Sequence, residues 1–225
     1  MSSVPSPLAL VTGGEGELAR AISKQLQSDG FEVLAPGRAE LDVADAASVG
    51  AYFGGRDLAR LELLVNNAGV RRDRSLVRMG EGEWDEVVAV NLRGAFLCSR
   101  AVMRGFFKRR AGHIINIGSY SALSGPVGQT NYAAAKAGMI GLTKSLALEG
   151  GKYGVRANCV LPGWLETKFT ADIAPEISER VRSQHSLGEF NTPDAAAQFV
   201  CFLHTRMAAV SGQVFQLDSR MGRWI

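Results

Sequence analysis

Cysteine and histidine are both scarce in this chain, and neither is grouped. Three cysteines, Cys98, Cys159 and Cys201, are spread over 225 residues. An odd number at such distances excludes a disulfide framework and any CxxC metal knuckle, and it fits a reducing compartment. His113, His185 and His204 show no ligand spacing, so no metal site is expected. No apolar run approaches the roughly 20 residues a membrane span needs. Met1–Pro7 has no basic stretch ahead of the short apolar run Leu8–Val11, so no secretion signal is expected and a cytoplasmic location follows. Charge of one sign is also lacking. Lys and Arg number 25 against 22 Asp and Glu, a net +3 that is too weak to imply a nucleic-acid partner. There is no repeat, low-complexity tract or linker, so residues 1–225 read as a single domain.

What is present is a globular composition, 46% hydrophobic and 21% charged, with 26 clustered glycines that point to backbone-mediated binding. Short apolar runs alternate with helical patterns. Strands are expected at Leu8–Thr12, Phe31–Ala35, Leu41–Val43, Leu61–Asn66, His113–Gly118, Val155–Val160 and Gly212–Leu217. Helical periodicity fills most of the intervals, including a long stretch Trp84–Arg110 with an expected break near Asn91–Gly94, and another at Gln129–Lys152. Repeated βαβ units of this kind predict an α/β fold, a doubly wound parallel sheet of about seven strands. Ligands of such sheets sit beyond the carboxyl ends of the strands.

Two constellations carry chemistry. The first strand runs into Thr12-Gly13-Gly14-Glu15-Gly16-Glu17-Leu18-Ala19, and a helix follows at once. Glycines there let the backbone turn tightly beside a pyrophosphate, and the helix N-terminus supplies N–H groups. Thr12, Gly13, Gly14, Gly16 and Leu18 are therefore candidate cofactor-binding residues. A glycine turn alone is weak evidence; its place at the start of a doubly wound pattern makes it stronger. The second constellation is Tyr132-Ala-Ala-Ala-Lys136, with Ser119 and Asn91 upstream. An i, i+4 spacing puts the phenol and the ammonium on one helix face. A free tyrosine titrates near ~10, so a neighbouring cation that favours phenolate is expected to bring it toward neutral pH. Ser119 lies just past a strand end, where its hydroxyl suits holding a carbonyl oxygen near that phenol. Taken alone, YxxxK is common and usually marks an amphipathic helix surface.

Thr12-Gly13 with Gly16, Asn66-Asn67-Ala68-Gly69, Asn91, Ser119, Tyr132-xxx-Lys136 and Pro162-Gly163 together resemble the short-chain dehydrogenase/reductase family, in order and spacing, over nearly the whole chain. From Leu63 to Asp218 the resemblance is to its 3-oxoacyl-(acyl-carrier-protein) reductases. It implies a Rossmann-type fold and NAD(P)-dependent reduction of a carbonyl. Tyr132 would donate the proton, Lys136 would bind the nicotinamide ribose and lower the tyrosine pKa, Ser119 would polarise the carbonyl, and Asn91 would hold a relay water. Asn67, Ala68 and Gly69 would line the adenosine side. Pro162, Gly163 and Leu165 would meet the nicotinamide and Thr167 a phosphate oxygen. A sugar or polyol dehydrogenase, a reductase of secondary metabolism, and a catalytically weak nucleotide-binding subunit stay open.

The chain also departs from that pattern. Acyl-carrier reductases have glycines where Glu17 and Ala19 stand, and the loop fits instead a TGxxGxx spacing followed by Gly or Ala, like the extended branch of the family. Both Glu15 and Glu17 are then expected to point outward. Pro36-Gly37-Arg38-Ala39-Glu40-Leu41 leaves no room for the usual crossover helix. The end of the second strand carries Arg38 and no acid, which favours NADP(H) over NAD(H). Asp42 and Val43 match positions near the adenine. Basic residues cluster at Arg71, Arg72, Arg74 and Arg78, and at Lys108, Arg109 and Arg110. By resemblance, a basic residue at Arg110 contacts an acidic acyl carrier protein. Small residues on two helices (Gly94, Ala95, Ala101, Gly105; Ala133–Ala137, Gly138, Gly141) allow close helix approach, and the resemblance implies that these helices pair in a homotetramer, in which Arg220 would crowd or charge one contact. Trp164 is placed to wall the substrate pocket.

Overall fold

The computed structural model describes residues 5–221. The chain opens with β1 (Leu8–Val11), α1 (Glu17–Ser28), β2 (Glu32–Leu34), α2 (Ala46–Gly54) and β3 (Leu61–Asn66). A 3₁₀ turn (Leu76–Arg78) leads to α3 (Glu81–Val88), a π-turn (Ala89–Arg93) and α4 (Gly94–Arg109). Then come β4 (Gly112–Ile117), α5 (Ser121–Ser124), α6 (Thr130–Gly151), β5 (Val155–Leu161), α7 (Pro175–Arg182), α8 (Pro193–Thr205) and β6 (Val214–Gln216). Every strand pairing is parallel, in the order β2-β1-β3-β4-β5-β6.

Strands buried on both faces read as apolar runs because both faces meet helices. Leu8 and Leu10 of β1 join Val49, Tyr52 and Phe53 of α2, Leu97 to Phe106 of α4 and Leu146 of α6 on one side of the sheet. Ala9 and Val11 point the other way, into Ala19, Ile22 and Leu26 of α1 and Ala197, Val200 and Leu203 of α8. Each fully buried Leu, Ile or Phe contributes roughly 1.5–3 kcal/mol. Local signals set the helix starts. Asp45 accepts the amides of Ala47 (2.9 Å) and Ser48 (3.3 Å), Thr192 accepts that of Ala195 (3.1 Å) ahead of Pro193, and Glu83 reaches back to the Gly80 amide (2.9 Å).

Among the described residues the sheet has six strands rather than seven, because Leu41–Val43 does not pair. Leu41 and Val43 do enter the core. Their backbone is satisfied elsewhere: Leu41 N bonds Gly37 O (3.0 Å), Asp42 N bonds Ser48 Oγ (3.0 Å), and Ala44 N bonds Asp42 Oδ1 (3.0 Å). A turn carbonyl and two side-chain oxygens have taken donors a strand would use. The helix break near Asn91–Gly94 falls on the π-turn.

Candidate active site

The turn after β1 is welded to the end of β3. Thr12 Oγ1 accepts the amides of Asn67 and Ala68, each at 3.0 Å, and Asn67 Nδ2 donates to Thr12 O at 3.0 Å. The Thr12 hydroxyl is thus occupied in holding the Asn67–Gly69 strip. Gly13 has φ +69°, and a Cβ there would stand 2.9 Å from Ala68 Cα; one on Gly14 would stand 2.0 Å from Ala35 O. Both glycines are demanded by the close approach of neighbouring strand ends. Gly16 begins α1 with no side-chain cap, which leaves the first amides of the helix available to an anion, and Leu18 sits in that first turn.

Glu15 is exposed and lies against Gly37, pointing outward as expected. Glu17 does not. Its Oε2 accepts the backbone amide of Lys168 at 2.6 Å, across from α1 to the loop after β5. The amide of Lys168 has no strand or helix partner, and the first turn of α1 aims the carboxylate at it. Arg38 pairs with Asp42 (3.2 Å) and is 71% exposed on its side chain. Val43 turns its side chain inward, where a Cβ on Gly94 would meet it at 2.7 Å.

At the carboxyl end of β4, Ser119 Oγ accepts the Ser121 amide (3.1 Å) and stands beside the Tyr132 phenol. Lys136 is 3% exposed and donates from Nζ to Ile117 O at 2.8 Å. Its ammonium is 5.6 Å from the Tyr132 ring centroid. Burial pushes the lysine down to about 8 and the tyrosine up to about 12. The Ser119 hydrogen bond and Arg71 pull the phenol down, and Asp73 adds to the rise, but burial outweighs them. The expected lowering of the tyrosine pKa by Lys136 is therefore not found: the ammonium is directed at a carbonyl, and the phenol is held neutral. Asn91, fully buried, donates to Val70 O and Val87 O, each at 2.8 Å. Val87 O is the carbonyl that a regular helix would give to the Asn91 amide, and the π-turn leaves it for the side chain. Asn91 Oδ1 has no hydrogen-bond partner among the described residues.

The loop after β5 closes over these groups. Asn191 Nδ2 holds Pro162 O (2.8 Å), Leu165 bridges Asn191, and Thr170 Oγ1 ties Leu165 O (2.7 Å) and the Thr167 amide (3.2 Å) into one turn. Phe169 lies 6.2 Å from the Tyr132 ring, centroid to centroid. Arg71 pins it, donating to Phe169 O (3.0 Å) and to the carboxylates of Asp73 and Asp172. Trp164 stacks on Phe190 at 5.5 Å.

The first basic cluster is largely paired with carboxylates, whereas the second meets backbone carbonyls instead. Arg71 meets Asp73 and Asp172, Arg72 meets Glu86, and Arg74 meets Glu83. Arg109 turns in to the carbonyls of Leu58 and Leu61, and Arg110 donates to Lys152 O (2.7 Å) while staying exposed. The small-residue stripe divides. Gly94 and Gly138 pack inward on Val43 and Leu92, while Ala101, Ala134, Ala137 and Gly141 face out. Arg220 is turned inward, only 9% exposed on its side chain, and does not charge the surface.

Beneath the site runs a ladder of which the motifs name only Asn66. Asn66 Nδ2 donates to Asn116 Oδ1 (2.8 Å) and Ser99 Oγ (3.0 Å), Asn116 Nδ2 to Thr143 Oγ1 (2.8 Å), and Thr143 to Met139 O (2.8 Å). Its signal was polar residues inside strands expected to be buried on both faces. Among the described residues no cluster could hold a metal ion, and no helix is long and apolar enough to cross a membrane.

A glycine turn, an uncapped helix start and a Ser-Tyr-Lys set on one edge of a parallel sheet define the class: a dinucleotide-dependent oxidoreductase. The residues fit such a cofactor, with Glu17 alone running against it. A family model described as enoyl-(acyl carrier protein) reductase matches residues 9–220. The 3-oxoacyl-(acyl-carrier-protein) reductase of Aquifex aeolicus is 37% identical over 217 residues, covering 94% of this chain and 86% of that protein. Its counterpart from Vibrio harveyi is 37% identical over 238 residues (95% and 96%), and that from Escherichia coli 35% over 235 (95% and 96%). The chain belongs to the short-chain dehydrogenase/reductase family, and it is an NAD(P)-dependent oxidoreductase similar to the 3-oxoacyl reductases.

Proposed function

We propose that this protein reduces the keto group of a 3-oxoacyl thioester, carried on acyl carrier protein or CoA, to the 3-hydroxy form with NADPH. The observation that carries the reading is the placement of Ser119 Oγ beside the Tyr132 phenol, with Lys136 one helical turn on.

The Thr12–Leu18 turn and the Asn67–Gly69 strip would hold the dinucleotide, which when bound would supply a hydride for the carbonyl carbon. Ser119 and Tyr132 both donate hydrogen bonds to the carbonyl oxygen. As charge builds on that oxygen, Tyr132 transfers its proton and the alcohol forms. A phenol at about 12 keeps its proton until an alkoxide demands it. Lys136 holds positive charge behind the phenol, and Asn91 Oδ1, unpartnered and buried, holds the relay water. Arg38 receives the 2′-phosphate and selects NADP(H); Pro162, Gly163, Leu165 and Thr167 enclose the nicotinamide half.

Two donors aimed at one oxygen suit reduction of a ketone, where that oxygen must end protonated. Reduction of a carbon–carbon double bond needs its proton on carbon, which favours the activity in the relatives' names over that in the family description. A hydroxylated substrate is the second reading, favoured by the chain Ser121 Oγ to Gln129 Oε1 (2.8 Å) and Gln129 Nε2 to Asp73 (3.0 Å). We further assign a cytoplasmic homotetramer, built through the outward faces of α4 and α6, with acyl carrier protein received near Arg110.

The test is NADPH oxidation with acetoacetyl-CoA against a panel of sugars and polyols. Tyr132→Phe keeps the ring and removes the proton, so turnover falls 10²-fold or more, within the range of general acid effects, while NADPH affinity holds. Near-normal turnover in that variant refutes the mechanism, and turnover of the sugars alone shifts the substrate class.

A further inference from the structure

Beyond β6 the chain leaves the sheet and builds a buried ionic cluster unrelated to the motifs above. Leu217 N still bonds Leu161 O (2.9 Å). Asp218 then turns inward with its side chain 1% exposed, and Arg220 follows at 9%. Asp218 Oδ1 accepts from Gln216 Nε2 (2.6 Å) and from the Arg220 amide (3.1 Å), and Oδ2 accepts from Arg220 Nε (2.9 Å) and Nη2.

This pair touches two loops that the proposed reaction uses. The Arg220 guanidinium carbon lies 3.8 Å from the centroid of the Tyr120 ring, and Tyr120 directly follows Ser119. On the other side, Gly163 is pressed against Asp218: a Cβ on Gly163 would stand 2.9 Å from Asp218 Cβ. A third loop joins them. Ser219 O accepts the Ser186 amide and hydroxyl, each at 3.1 Å, and Ser219 Oγ accepts the Leu187 amide (3.2 Å). His185 is buried; its Nδ1 bonds Val181 O (2.8 Å), so that ring atom is the donor. Its Nε2 faces Asp218 Oδ2 at 3.8 Å without a hydrogen bond.

A buried ion pair is a poor source of net stability, since removing both charges from water offsets much of their attraction. It is a good source of geometry, because only one arrangement satisfies every donor. Here the arrangement it selects has Tyr120 on one side and Gly163 on the other. We propose that Arg220, oriented by Asp218, is a positioning residue that keeps the Ser119–Tyr120 turn in register with the Pro162–Gly163 turn. It acts through Tyr120 on the direction of the Ser119 hydroxyl and does not touch substrate. The inference rests on the carbonyl-reductase reading for its kinetic arm only.

The experiment compares Arg220→Met, Arg220→Gly and Arg220→Lys with the parent. The readouts are acetoacetyl-CoA turnover, NADPH binding by fluorescence, thermal melting and amide hydrogen exchange. Loss of one charge-assisted, stacked contact lowers kcat about 10- to 100-fold in the Met and Gly variants, with NADPH affinity within about threefold. Lys, lacking the planar fork, recovers only part. Millimolar guanidinium added to Arg220→Gly restores turnover in a saturable way. Amides of residues 119–124 exchange about 10-fold faster in Arg220→Met, while those of β1 and β3 do not change. Turnover within twofold of the parent, or a loss that follows the melting temperature and ignores guanidinium, overturns the proposal. If the parent itself does not turn over acetoacetyl-CoA, the substrate reading fails. The exchange data then decide the positioning role alone: unaltered protection at 119–124 rejects it.

Discussion

Glu17 Oε2 lies 2.6 Å from the backbone nitrogen of Lys168, so a carboxylate joins the start of the first helix to the loop that covers the active site. It stands beside the first helical amides, where a dinucleotide's pyrophosphate is bound in this fold class. The two anions repel. Replacing Glu17 with Gln keeps the reach and removes the charge. NADPH is expected to bind about 3- to 10-fold more tightly to Glu17→Gln at low salt, the scale of one partly screened charge contact, with the gain shrinking as salt rises. Fluorescence titration at two ionic strengths checks it; equal or weaker binding contradicts it.

Arg38 is already partnered by Asp42 at 3.2 Å, so a 2′-phosphate has to compete for it. Arg38→Ala weakens NADPH roughly 10-fold and leaves NADH almost unchanged, as expected for a lost charge-assisted contact. Asp42→Asn moves NADPH affinity the other way, by about 2- to 5-fold. Isothermal titration with both cofactors on both variants reads this out. Equal losses of NADH and NADPH would reduce Arg38 to a loop charge.

Burial lowers Lys136 from 10.5 to about 8, so its proton is lost early as pH rises. If its charge supports proton transfer, kcat/KM for reduction falls as pH climbs through about 8. Lys136→Arg, where any activity survives, moves that limb upward. The stability consequence has a definite sign. A depressed folded pKa means the unfolded chain binds more protons between about 8 and 10.5, so stability rises with pH across that window. The shift from 10.5 to about 8 corresponds to about 3 kcal/mol, and the lost bond to Ile117 O takes back about 1. Lys136→Met is therefore inactive yet more stable by about 1–2 kcal/mol in urea unfolding. A destabilised variant counts against the burial penalty.

His113 and His204 face each other through their Nδ1 atoms at 3.3 Å. Asn158 Oδ1 accepts the Gln213 amide (3.0 Å), so its Nδ2 is the donor to His113 Nε2 (3.0 Å). That assigns His113 the Nδ1 proton and makes His204 Nδ1 the acceptor. Burial, then Arg156, holds His204 down at about 4 against 6.5. Neutral burial costs nothing above pH 6.5 and destabilises progressively as pH falls toward 4, where the unfolded chain alone is protonated. His204→Phe keeps the edge contact with Phe31 and strands the His113 donor, lowering stability by about 1–3 kcal/mol. Its stability profile is flatter between pH 6.5 and 4. Unfolding free energies at four pH values test the slope, and an unchanged slope refutes the lowered His204 pKa.

Much of this architecture is open to reading because its signals are local. LELLVN and HIINI have few polar positions, which suits strands covered on both faces, and both form. Asn91, Ser119, Tyr132 and Lys136 sit at element ends or on one helix face, where spacing alone determines direction. Leu41–Val43 misleads because its alternation is strand-like, while the donor it lacks is taken by Ser48, six residues on. The direction of Glu17 depends on Lys168, 151 residues away, and no periodicity reports such a distance. Arg220 against Tyr120 is the same kind of case. The i, i+4 spacing reports the charge beside the tyrosine but not its burial, which is a property of the packed fold and outweighs that charge.

The Asn66–Asn116 amide pair has one more consequence. The central strands are short, parallel and rich in Leu, Ile and Val, so hydrophobicity alone specifies their alignment weakly. Asn66 and Asn116 are direct partners across β3 and β4. A slip of two residues would bury two amides against aliphatic side chains with nothing to bond. Each stranded amide costs about 1–3 kcal/mol, a large share of a domain's net stability. The pair thus penalises the mispaired sheets that this composition would otherwise tolerate, and a Val–Val replacement should fold tightly but lose its single alignment.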